Sequence, residues 1–253
     1  MINIKHLDQK KNRVGELSSN KYGSVMKITK YNSAIDVEVE FENGYMAKCY
    51  YYDFKNGGVF NPLDITSYGV GYFGIGEYNS SHHAYYVWKG MFKRCYDEKY
   101  LQKYETYRGC SVCEEWYDYQ NFAKWYYENY YEIDTIATEL DKDILQKGNK
   151  IYSPDTCVFT PKEINYLFVK RNKSRGKYPI GVYLHTDKDK YVAGFHSNGR
   201  SVYLGRYETV EEAFMVYKYH KEKVIKETAD KYKDKIPNNL YEAMYKYIVE
   251  IND

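Results

Sequence analysis

Between residues 180 and 207 the chain sets donors and flat rings at alternating positions: Tyr183, His185, Lys190, His196, Ser201 and Tyr203, with Arg200 and Arg206 at the edges. Side chains two apart on a strand share a face. Such a set makes one surface that is polar, aromatic and cationic. Its chemistry is recognition rather than bond-making. Imidazole, phenol, hydroxyl and guanidinium groups reach base edges and phosphates, and a small sheet fits a DNA major groove. The charge distribution points the same way. Segment 170–206 carries nine cations, among them Lys170, Arg171, Lys173, Arg175 and Lys177, against Asp187 and Asp189, a net of +7 in a chain of overall charge +2. Phosphates are drawn to such a segment.

Local patterns supply the elements that must hold these groups. Strands are predicted over 180–185, 191–196 and 201–207, separated by the polar turn 186–189 and by Ser197-Asn198-Gly199, where Asn-Gly is a strong hairpin signal. Val182, Leu184, Ala193, Phe195, Val202 and Leu204 fall on the face opposite the polar set. Thr209 then opens a helix and Glu212 completes a capping box, with Ala213, Val216, Tyr217 and His220 at helical spacing to cover the apolar face. The motifs Gly181-Val182, Lys190-Tyr191 with Ala193, Gly199-Arg200, Leu204-Gly205 with Tyr207, and Thr209 with Glu211-Glu212-Ala213 and Tyr217 resemble the APETALA (ethylene-response-factor) DNA-binding domain. The resemblance covers about a fifth of the chain. It implies a three-stranded sheet laid in the major groove of double-stranded DNA. Where members of that family carry arginines and tryptophans, this chain has Tyr183, His185, His196 and Tyr203. Recognition by backbone and shape is therefore expected to outweigh bidentate guanine reading.

The 253 residues are enough for two or three domains. Residues 1–66 read as a small all-β domain: Val37, Val39 and Phe41 alternate with Asp36, Glu38, Glu40 and Glu42, and Asn43-Gly44 turns the hairpin. This stretch resembles the small barrels of the KOW and Tudor kind. Segment 32–66 is net −4, so phosphate is repelled there. Gly69, Gly71 and Gly74 fit G-x-G-x-x-G without the strand and the distant acid of a dinucleotide site, and are taken as a loop. A helix is predicted over 84–96 and a second from Asp118 or Asn121, with Trp88, Trp116 and Trp125 as core anchors. Cys110 and Cys113 lack the second C-x-x-C pair that zinc needs, so zinc is not expected and buried thiols are.

A second set of motifs lies upstream of the sheet. Trp88-Lys89-Gly90-Met91-Phe92-Lys93-Arg94-Cys95-Tyr96, Gly109-Cys110 with Trp116, Leu140-Asp141-Lys142-Asp143, 153–157 (Ser-Pro-Asp-Thr-Cys) and Asn165 resemble phage proteins related to HNH homing endonucleases. That resemblance implies a ββα-metal hairpin, with strands over 140–145 and 153–159 and a helix opened by Pro161. It also implies Asp141 and Asn165 as ligands of Mg2+ or Mn2+. The position of the general base is occupied by Lys142, protonated at neutral pH and suited to a phosphate instead, and Thr156 stands near the orienting asparagine. The expectation is a degenerate catalytic centre without a cofactor. An active metal-dependent nicking endonuclease, with Asp141, Lys142 and Asn165 as its catalytic residues, is the alternative.

The whole reads as an α+β chain: 1–66 a small β-barrel, 67–169 an HNH-like domain, 170–232 an APETALA-like DNA-binding domain and 233–253 a helical tail. The basic linker 170–177 is expected to follow the phosphate backbone through Lys173, Arg175 and Lys177. Five irregularly spaced cysteines, no signal peptide and no long apolar run suggest a reduced, cytoplasmic protein with no membrane partner. A third function class is an anti-defence protein that binds a host nuclease or CRISPR effector, with the acidic strand 36–42 imitating phosphates.

Overall fold

The computed structural model describes residues 13–169, 177–185, 190–197 and 200–253, with the backbone alone for His196, Ser197 and Arg200. Helices and small antiparallel sheets are mixed along the chain, which divides into two compact units, Met1–Tyr127 and Glu128–Asp253.

The first unit opens with strands β1 (Leu17–Ser19), β2 (Val25–Ser33), β3 (Asp36–Phe41) and β4 (Met46–Cys49), paired in that order. The expected barrel does not form: the sheet is open, and no sheet of the described residues closes on itself. The outer strands have only three and four residues, too few to curl round and meet. Helix α1 (Tyr51–Lys55) and Val59 fill the apolar side instead, giving a core of Met26, Ile28, Val37, Val39, Phe41, Phe54 and Val59. On the wet side Glu38 lies between Lys30 (3.4 Å) and Lys48 (3.8 Å), so the charge at the middle of β3 is matched across the ladder. Strands β5 (Ile65–Ser67) and β6 (Gly71–Tyr72) form a hairpin that packs on helix α2 (His83–Tyr96). A Cβ at Gly71 would stand 2.8 Å from Phe92 and 2.9 Å from Trp88. That glycine therefore serves close packing and not a phosphate. Helices α3 (Glu98–Lys103) and α4 (Tyr119–Asn129) complete the layer. Trp88 and Trp116 are fully buried, with Trp88 Nε1 donating to the Trp116 carbonyl at 2.7 Å, and Trp125 packs on Trp116.

The second unit begins with a hairpin of β7 (Glu132–Ile133) and β8 (Ile136–Ala137). Next come β9 (Glu139–Asp141) and β10 (Val158–Thr160), antiparallel, and helix α5 (Lys162–Leu167), which follows Pro161. The order strand, strand, helix is the one expected, but the strands are three residues each and the first ends at Asp141, not at 145. The three-stranded sheet is β11 (Val182–His185), β12 (Lys190–Ser197) and β13 (Arg200–Tyr207), followed by helix α6 (Val210–Tyr232). The capping box of Thr209 and Glu212 is present in both directions.

Helix α6 is 23 residues long, enough to serve two cores. Ala213, Phe214 and Tyr217 seal the dry face of the sheet with Val182 and Ala193. Ile225 and Ala229 join Ile144, Val158 and Ile164 of the ββα segment, together with Leu240 and Met244 of helix α7 (Asn238–Lys246). The tail after α7 is tied to this body. Val249 is buried in the sheet core, its N–H donates to Glu222, and its carbonyl accepts from Lys218. Lys147 binds Glu250 and Asp253, each at 2.8 Å.

Candidate nucleic-acid interface

Pairing register decides which groups share the polar face. Tyr183 stands opposite Val192, and Val192 opposite Arg206; His185 stands opposite Lys190; Gly194 stands opposite Tyr203. Tyr203 and Arg206 are three apart and would point to opposite sides of a regular strand. A bulge at Ala193/Gly194 inserts Leu204 against the partner strand and returns both to one face. Gly205, at φ +132°, takes the backbone turn this needs. Leu204 packs into the dry core, as expected of it. Leu184, also expected inward, lies on the edge strand and stays 38 % exposed.

The resulting surface is open among the described residues. Tyr183 is 51 % and Tyr203 61 % exposed, and the Arg206 side chain is exposed as well. Gly194 separates the two tyrosines; a Cβ there would meet the Val202 carbonyl at 2.8 Å, so the floor between the rings is kept flat. Val192, fully buried, is the apolar centre on which Tyr183 and Arg206 converge. Arg206 Nη2 donates to His185 Nε2 at 3.3 Å, which orients the guanidinium across the middle strand from β13 towards β11. Lys190 pairs with Glu208 at the rim, an exposed contact worth little in water and easily exchanged for a phosphate.

Other expected contacts fall elsewhere. Lys177 lies over the ring of Tyr178, which packs edge-on to Tyr191 on the dry side, so Lys177 is not gathered with Tyr183, Tyr203 and Arg206. Lys173 and Arg175 lie outside the described residues, as do the side chains of His196 and Arg200.

The ββα segment places its polar groups on the fold itself. Asp141 Oδ1 accepts the backbone N–H groups of Asp143 and Ile144, both at 2.8 Å. Burial and the neighbouring Asp143 raise its pKa above the ordinary carboxylate value, against the pull of those two N–H bonds. Lys142 is 6 % exposed, not poised on the surface for a phosphate; its ammonium donates to Asp143 (2.7 Å) and to the Asn149 carbonyl (3.2 Å). Asn149 returns a bond to the Lys142 carbonyl at 2.7 Å and so closes the loop. Asn165 Nδ2 donates to Glu139 at 3.0 Å. This donor set fits a divalent cation poorly: the carboxylate already caps a turn, an ammonium is buried beside it, and the asparagine is turned to another acid. Among the described residues no three His, Cys, Asp or Glu side chains cluster as metal ligands would. Cys110 is buried and Cys113 half-buried, and burial raises the Cys113 thiol pKa.

Fold and surface together define a class, a mixed helix and sheet protein whose three-stranded sheet is sealed on one side and open, aromatic and cationic on the other. No known family, curated protein or solved structure matches the chain. No helix among the described residues is long and apolar enough to cross a membrane.

Proposed function

We propose that the chain binds double-stranded DNA through the polar face of β11–β13. We also propose that it is a relative of phage HNH homing endonucleases whose ββα segment acts as scaffold and not as a cutting centre. The observation that carries the reading is the bulge at Leu204 and Gly205, which brings Tyr203 and Arg206 to one face beside Tyr183 and His185. The same bulge also sets Leu204 and Tyr207 against the dry core of Ala213, Phe214 and Tyr217, so one irregularity serves both sides of the sheet. Among the described side chains Arg206 is the arginine on this face, and it can offer one bidentate guanine contact. Tyrosine hydroxyls and backbone approach carry the rest, so sequence preference is modest and shape-dependent. The non-cutting half of the proposal is supported by the engagement of Asp141, Lys142 and Asn165 with their own chain.

The test is incubation of supercoiled plasmid with the protein and Mn2+, followed by gel shift and by the nicked-form assay. A shift without nicking is the expected result. Nicking that disappears in Asp141→Ala restores the enzyme, and absence of any shift at low salt removes the DNA reading altogether.

A further inference from the structure

A second recognition surface lies in the first unit, independent of the sheet face above. Strand β4 ends its sheet and, among the described residues, pairs with β3 alone. Alternate residues of such an edge turn their N–H and C=O groups outward, a ready template for another strand. Strand β4 is short, at four residues, and has no proline; its one lysine, Lys48, reaches back to Glu38 on β3 at 3.8 Å.

Two adjoining cavities of about 290 Å3 each open along this edge. One lies between β4 and segment 58–60, with Ala47, Cys49, Asp53, Val59 and Phe60 among its walls. The other lies towards the β2–β3 turn, against Ile35, Asp36 and Tyr50, and shares Lys48, Cys49 and Asp53 with the first. Each therefore offers a carboxylate. Each also has an exposed apolar rim, Phe60 at 52 % for the first and Ile35 at 73 % with Tyr50 at 59 % for the second. Gly58 keeps the first cavity clear, because a Cβ there would stand 3.2 Å from Asp53 Oδ1.

We infer that this edge takes up an extended, basic segment of a partner protein as an added strand. Arginine or lysine side chains at alternate positions, about 7 Å apart along such a strand, enter the two cavities against Asp53 and Asp36. Their stems pack on Phe60, Tyr50 and Ile35. The edge supplies main-chain bonds and the cavities supply selection, as in other strand-addition sites. An acidic segment gains no such pair from Asp53 and Asp36.

The probe is a fluorescein-labelled peptide of sequence Thr-Val-Arg-Val-Arg-Val-Thr, titrated with the full chain and followed by anisotropy. Binding in the range of about 10–100 μM is expected. Replacing both arginines of the peptide by glutamate abolishes it, and the double variant Asp36→Asn/Asp53→Asn weakens it about tenfold while keeping its melting temperature. Methylating alternate peptide amides also abolishes it, which separates strand addition from charge attraction. The inference is overturned by no binding up to about 1 mM, by equal binding of the methylated peptide, or by unaltered binding in the aspartate variant. Duplex DNA binding is expected to be the same in the aspartate variant and the wild type.

Discussion

Asp141 Oδ1 holds two backbone N–H groups, while burial and the neighbouring Asp143 disfavour its negative charge and raise its pKa. An amide oxygen at the same place keeps the cap and removes the charge. Asp141→Asn is therefore expected to change stability by less than about 0.5 kcal/mol, whereas Asp141→Ala, which orphans both donors, costs about 1–2 kcal/mol. Urea denaturation of the two variants checks this. Equal losses would mean that the charge, not the cap, is what the fold uses. Arg206 is the other residue on which the account turns. Its contact with His185 spans two strands, and removing the guanidinium should weaken DNA binding about tenfold, the worth of one good charged contact. Lys177, on the dry side beside Tyr178, should be worth less than about twofold in the same assay.

The element that positions the interface is α6. Its buried stripe runs through Tyr217, Ile225 and Ala229, and half-buried Lys221 stands between them, where a charge is costly. Burial lowers the Lys221 pKa from 10.5 to about 8. Below about 8 the amine is charged in both folded and unfolded chains, so the penalty is full and constant. Between about 8 and 10.5 only the unfolded chain keeps the proton, and stability climbs with pH. Over pH 7.5 to 9.5 Lys221 thus contributes a rise in melting temperature, opposed by the Cys49 and Cys113 thiols, whose raised pKa values make the unfolded chain lose those protons first. Lys221→Met should flatten that rise and add about 1–2 kcal/mol at neutral pH, a figure reduced from the full shift because the amine is partly open to water. Wild-type and Lys221→Met melts that change in parallel over this interval would contradict the placement of Lys221. The approach of β11 to the same helix makes a separate demand. Gly181 has φ +76°, and a Cβ on it would lie 2.0 Å from the Tyr217 ring. Gly181→Ala should cost about 3 kcal/mol or more, from a left-handed backbone and a displaced ring together. A variant that melts within a few degrees of the wild type would show that the helix can slide on the sheet.

At the scale of the molecule, the parts readable in the sequence are those fixed by local chemistry. The Thr209 and Glu212 box, the end of α6 at Tyr232 and the burial of Trp88 and Trp116 follow from period, capping and residue size, while the strand–strand–helix order before Leu167 comes from the resemblance of the motifs there. What stayed hidden depends on pairing between distant segments. Alternation in residues 36–41 is the same for an open sheet and a barrel, and closure turns on the shortness of β1 and β4. The spacing of Tyr203 and Arg206 argues against a shared face, and only Gly205 hints at the bulge that reverses it. Asp141 has the type and neighbours of a metal ligand, yet the nearest unsatisfied N–H groups claim it first. The acidic strand looks like a phosphate mimic in sequence, and becomes part of a charge ladder once Lys30 and Lys48 flank it.

The central claim is that DNA meets the open face of the second unit's sheet. The most direct measurement is the dependence of Kd on salt, by anisotropy on a duplex of about 24 base pairs, for the wild type, Arg206→Ala and Lys177→Ala. The account predicts steep salt dependence for the wild type, a slope shallower by about one in Arg206→Ala, and little change in Lys177→Ala. Wild-type binding that ignores salt, or an Arg206→Ala slope and affinity indistinguishable from wild type, would contradict it.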